Sequence, residues 1–218
     1  GAVCREQWIN RGSWIGGTKP RISDLGPMQL HVIDTGFFKL DGGAMFGVVP
    51  KTLWSKNHPP DANNLCTWAM RCLLVEDGDR LMLIDNGIGD KQDAKFFGHY
   101  DLHGNDTLDG SLNRAGFSRD DVTDVFLTHL HFDHCGGSIV RHGNGFVPAF
   151  NHATFWSNEY HWRWATNPNP REKASFLSEN ILPIQESGQL KHVDVGRRSA
   201  EENVYLRNAL PHTDVFLV

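Results

Sequence analysis

No apolar run in the chain approaches the roughly 18 residues a membrane span needs, and no basic run forms the clustered face of a nucleic-acid footprint. The formal charge of −5 and a pI near 6.2 point the same way, against a polyanion partner. Cysteine is sparse: four residues, Cys4, Cys66, Cys72 and Cys135, with neither the density of a disulfide scaffold nor a C-x-x-C pair. Reduced, buried thiols and a cytoplasmic location are the expectation. Residues 1–27 lack the apolar h-region and the cleavage pattern of a signal peptide and show no period, although they carry Trp8 and Trp14. They read as a leader or added extension, with a domain beginning at Met28 and running over residues 28–218. At 218 residues and 39% apolar content the chain is long enough for one sizeable core.

What is present in concentrated form is histidine. Of 12 in the chain, three fall in Thr128-His129-Leu130-His131-Phe132-Asp133-His134-Cys135-Gly136-Gly137, beside an aspartate. Chance would supply roughly 0.003 matches to H-x-H-x-D-H in a chain of this composition, so the pattern is informative. Asp124-Val125-Phe126-Leu127 before it reads as a short buried strand, so the histidines are expected to leave a strand end. On a strand His129 and His131 share a side while Leu130 and Phe132 turn into the core; Asp133 and His134 then come where the chain bends. Neutral imidazole with carboxylate suits Zn²⁺, with Mn, Fe or Co as neighbours in preference, in one or two sites.

Elsewhere the pattern is strand-like from Gln29 to Gly36, and Cys66 to Glu76 forms a hairpin through Asp77-Gly78 with Arg80 to Ile84. Thr107 to Gly116 reads as a helix stopped by its glycine. After Gly137 a short helix, a strand around Ala153 to Trp156, an aromatic helix Ser157 to Trp164 and a further helical stretch Arg171 to Asn180 are expected. His142, His152, His161 and His192 fall outside ligand spacing and read as surface or satisfied core histidines.

Strand, H-x-H-x-D-H and Gly-Gly together resemble the metallo-β-lactamase superfamily, from about Met28 to about His212. That resemblance implies an α+β fold, the αββα sandwich, with the second half cut short here. It implies that His129, His131 and His212 (in Leu210-Pro211-His212-Thr213, where the family has Gly-His-Thr) bind a first metal and Asp133 and His134 a second. It also implies that Asp85, in Asp85-Asn86-Gly87, supports the metal loops without binding metal. Asp133 would orient the attacking water and take its proton. Phe37 to Trp54 looks like the wall of the substrate site in the lactonase and organophosphate-hydrolase branch, which makes Met45, Phe46 and Trp54 candidate substrate contacts. The expected activity is metal-dependent hydrolysis of a small ester-like molecule: a lactone first, then aryl or phosphate esters, with β-lactams as an alternative. A different class stays open, a metal-binding but catalytically weak fragment or binding protein. The apolar end Asp214-Val215-Phe216-Leu217-Val218 leads to the expectation of a homo-oligomer covering the shortened half.

Overall fold

A computed structural model describes residues 28–193. Residues 1–27, expected to be a leader or added extension, the candidate ligand His212 and the apolar end therefore lie outside the described residues.

Six strands form one mixed sheet in the order β1 (Gln29–Asp41), β2 (Leu65–Asp77), β3 (Arg80–Ile84), β4 (Asp124–Phe126), β7 (Thr154–Ser157) and β8 (Leu190–His192). The first three run antiparallel and the last four, from β3 onward, are parallel. The β2–β3 turn uses two residues, with Gly78 at φ +58°, the left-handed geometry that matches strand twist. Parallel pairs need crossovers, supplied here by α3 (Ala94–Gly98) and α4 (Leu108–Arg114) before β4 and by α6 (Glu159–Thr166) and α7 (Ser178–Glu186) before β8.

Register explains the core. Leu74 pairs with Leu83, Leu83 with Val125, Val125 with Phe155 and Phe155 with Leu190, so a single apolar row crosses five strands on one face. Leu108 and Leu112 of α4, Trp162 and Ala165 of α6, and Ile181 and Ile184 of α7 join that row in one cluster. Each leucine, isoleucine, valine or phenylalanine of that cluster fully removed from water contributes about 1.5–3 kcal/mol. At the start of the parallel part Asp124 is buried and satisfied. Its carboxylate accepts from Arg80 Nη2 (2.9 Å), Thr123 Oγ1 (2.8 Å) and Trp156 Nε1 (2.7 Å), tying β3, β4 and β7 together.

Several expectations shift. The helix expected over Thr107 to Gly116 forms, with Thr107 as its N-cap and Gly116 at φ +90° just past its end. In place of a short helix after Gly137 there is a 3-10 turn and then a hairpin of β5 (Ile139–His142) and β6 (Gly145–Pro148), turned by Gly143-Asn144. The helix expected from Arg171 begins only at Ser178. Phe176 and Leu177 are held extended because both side chains pack inward, Phe176 in the main core and Leu177 on a second cluster of Phe38, Met70, Ile88 and Phe132.

Candidate metal centre

The C-terminal ends of the parallel strands β3 and β4 lie side by side, the usual place for a ligand in such sheets, and both lead into candidate residues. Strand β4 stops at Phe126, so His129 and His131 stand on a loop and not on the strand itself. The ladder is interrupted by a side chain: Leu127 N–H still reaches Trp156 O (3.0 Å), but Thr128 N–H is taken by Asp85 Oδ1 (2.9 Å). The alternation survives, with Leu130 and Phe132 buried and His129 and His131 half-buried. His131 precedes α5 (Phe132–Cys135), whose first turn carries Asp133 and His134.

Three imidazoles come together. The His129 ring centroid lies 3.9 Å from that of His134 and 4.6 Å from that of His131. Asp85, at the end of β3 with φ +58°, serves both loops: it accepts from Thr128 Oγ1 (2.7 Å) and faces His134 Nδ1 at 2.8 Å. A proton on Nδ1 leaves His134 Nε2 with its lone pair, 3.5 Å from Asp133 Oδ2. Two donors each about 2.1 Å from one tetrahedral ion would stand about 3.4 Å apart, so this pair has the right spacing.

Protonation favours ligand chemistry at His129 and His131. Burial and the neighbouring His134 and His131 push His129 down to about 2, and burial also lowers His131, against the raising influence of Asp133. For His134 burial lowers, but the Asp85 hydrogen bond and the charges of Asp133 and Asp85 outweigh it and the group is raised. Among the described residues no three His, Cys, Asp or Glu side chains already form a ready metal site. The donor types, the neutral imidazoles and the Asp133–His134 spacing nevertheless fit a divalent ion.

The loop Asn86 to Lys91 braces α5 from behind. Asn86 N–H donates to His134 O (2.9 Å), Gly137 N–H to Gly87 O (3.0 Å), and the buried Lys91 Nζ to Gly136 O (2.5 Å). A Cβ on Gly136 would overlap the Ile88 carbonyl and one on Gly137 the Asn86 carbonyl, which is why glycine occupies both positions. Cys135 is fully buried, donates to Leu130 O (3.3 Å), and burial pushes its thiol up to about 12, so it stays protonated.

Met45, Phe46 and Trp54 belong to a different assembly. The segment expected to wall the substrate site forms the short helices α1 (Gly42–Phe46) and α2 (Lys51–Trp54). Trp54 is buried over Gly42, Phe46 stacks on it at 4.8 Å, and Met45 is exposed. Ile84 pairs with Leu73, so β2 extends past the end of β3 and carries these helices beyond the same sheet end as the histidines. Trp68, 5.6 Å from Phe46, packs on the cluster that contains Phe132.

His161, read from its spacing as a surface or satisfied core histidine, is a satisfied one on α6, and it stands beside the cluster. It lies 6.4 Å from His129 between ring centroids and accepts the Leu130 N–H at 2.9 Å. Phe176 packs on His131 (4.8 Å) and also lines a cleft of about 330 Å³ between the end of α6 and the start of α7. The larger cleft, about 480 Å³, is lined by Asp90, Lys91 and Arg141 among others and by none of the clustered histidines.

A family model described as the metallo-β-lactamase superfamily matches residues 71–198. The chain belongs to this superfamily. Among solved structures, a probable metal-dependent hydrolase from Staphylococcus aureus is similar at TM-score 0.69 and 29% identity, covering 76% of this chain and 58% of its own. AidC, a dizinc quorum-quenching lactonase in complex with a product, is similar at TM-score 0.59 and 23% identity, over 80% of this chain and 61% of its own. The hydrolase AbOPH is similar at TM-score 0.59 and 22% identity, over 80% of this chain and 60% of its own. The latter two share the metallo-β-lactamase fold with this chain, which spans about three fifths of the length of each of the three. No curated protein matches. No helix among the described residues is long and apolar enough to cross a membrane.

Proposed function

We propose that this metallo-β-lactamase superfamily chain is a metal-dependent hydrolase of small ester-like molecules, lactones before aryl esters, phosphate esters and β-lactams. The observation that carries the reading is His134, whose Nδ1 is held by Asp85 at 2.8 Å while Nε2 and Asp133 Oδ2 stand 3.5 Å apart beside His129 and His131. His129, His131, Asp133 and His134 would hold zinc or a similar divalent ion, with His212 as a further candidate ligand. When bound, such an ion supplies activated water and polarises the oxygen of the bond under attack. Asp133 would face the ion through Oδ2, the oxygen beside His134 Nε2, which leaves Oδ1 to take a proton as water attacks. Phe176 offers an apolar wall beside His131, and Met45, Phe46 and Trp54 stay candidate walls from the α1–α2 side.

The lactonase order follows from the resemblance of the chain to AidC, whose described activity is that of a quorum-quenching lactonase. Zinc-loaded full chain is expected to hydrolyse an N-acyl lactone and p-nitrophenyl acetate, and to lose that activity with a chelator. Hydrolysis that survives both the chelator and His131→Ala would refute the proposal. A second reading, a protein that binds metal without turnover, is favoured by one observation: neither of the two clefts described above is lined by His129, His131 or His134. Bound zinc with no hydrolysis of any of the four substrate classes would select it.

A further inference from the structure

His129 is flanked by two backbone amides, Thr128 and Leu130, and each is claimed by a side chain from a different element. Thr128 N–H goes to Asp85 at the end of β3 and Leu130 N–H to His161 Nε2 on α6. Leu130 is fully buried on a loop outside any strand, so its amide has no ladder partner and no water, and a buried N–H requires an acceptor. The acceptor is itself firmly mounted. Asn158 Oδ1 caps α6 by accepting from Tyr160 and His161 N–H, and buried Trp162 donates to Gln185 Oε1 of α7 (3.2 Å). Phe176, packed on His131, also stands 5.8 Å from the His161 ring.

We infer that His161 is a positioning residue which, by accepting the Leu130 amide, fixes the turn between His129 and His131 and preorganises the two imidazoles for an ion. It is no ligand in this role, because the nitrogen nearest the loop is already occupied by the Leu130 N–H. This inference rests on the proposed metal site for its purpose, while the hydrogen bond stands apart from any metal.

Two substitutions separate acceptor chemistry from ring volume: His161→Gln keeps an oxygen that can accept, and His161→Leu removes it. In metal-free protein, amide hydrogen exchange at Leu130 should be slow in the wild type and the Gln variant and at least tenfold faster in the Leu variant. Cobalt(II) affinity, followed by its visible absorption, should fall roughly 10-fold to 100-fold in the Leu variant and stay near wild type with Gln. Wild-type protection and wild-type cobalt affinity in the Leu variant would overturn the inference, as would a folded Gln variant that fails as badly as Leu. If the Leu variant does not fold, an unprotected Leu130 amide in the wild type overturns it equally. If the wild type takes up no cobalt, the metal reading fails, and exchange still decides the role of His161.

Discussion

Asp85→Asn separates the carboxylate's charge and acceptor capacity from its shape. Asp85 Oδ1 accepts from Thr128 N–H and Oγ1, and Oδ2 from Thr128 Oγ1 and His134 Nδ1, so all four contacts run toward a group that donates nothing. An asparagine tolerates the left-handed φ of +58°, which leaves the backbone undisturbed. Its oxygen can still serve Thr128, but its NH₂ then points at His134 Nδ1 as a second donor. The imidazole proton moves to Nε2, the nitrogen that faces Asp133. Two consequences follow, each with its own readout. Losing a charge-assisted hydrogen bond at a buried position costs folding about 1.5–3 kcal/mol, read by urea denaturation of metal-free protein. Metal affinity should fall about 10-fold to 100-fold, or about 1.4–2.7 kcal/mol, read by zinc titration against a competing chelator. Zinc affinity within twofold of wild type, in a variant that shows the stability loss, would refute the link from Asp85 through His134 to the ion.

Lys91 has its pKa lowered to about 8 by burial, against the raising influence of the carboxylates Glu179 and Asp90. Between about 8 and the ordinary 10.5 the unfolded chain holds a proton on Lys91 that the folded chain has released, so Lys91 by itself should add up to about 3 kcal/mol of stability as pH rises there, while the buried thiols Cys72 and Cys135, which keep their protons in the folded chain, pull the other way. Lys91→Met should lose that contribution, so the stability difference between wild type and variant should shift in favour of wild type from pH 7.5 to 9.5 in denaturation curves, and an unchanged difference would contradict the assignment. Gly136→Ala should destabilise by about 3 kcal/mol, because its Cβ overlaps backbone of Ile88 that has no side-chain freedom to yield, and a midpoint shift in denaturant measures it.

The parts legible in the sequence are those decided locally. The β2–β3 hairpin follows from Asp77-Gly78, the α4 boundaries from Thr107 and Gly116, and the histidine cluster from six consecutive positions. The parts that escaped are decided by contacts far along the chain. Strand β4 ends early because Asp85, 43 positions before Thr128, competes for an amide that would otherwise extend the ladder. Helix α7 starts late because Phe176 and Leu177 are drawn into two separate clusters, and His161 carries no ligand spacing because its partner is a backbone N–H 31 positions away. The β5–β6 hairpin did have a local signal, Gly143-Asn144 between Ile139-Val140 and Phe146-Val147, weaker than the helix expected after the double glycine.

The central claim is that the clustered histidines hold an ion that activates water. Zinc per chain by mass spectrometry, measured beside lactone hydrolysis for wild type and His131→Ala, tests it most directly. The account predicts one or two zinc ions in the wild type, with both metal and turnover lost in the variant. Equal metal content and equal turnover in the two proteins would contradict it.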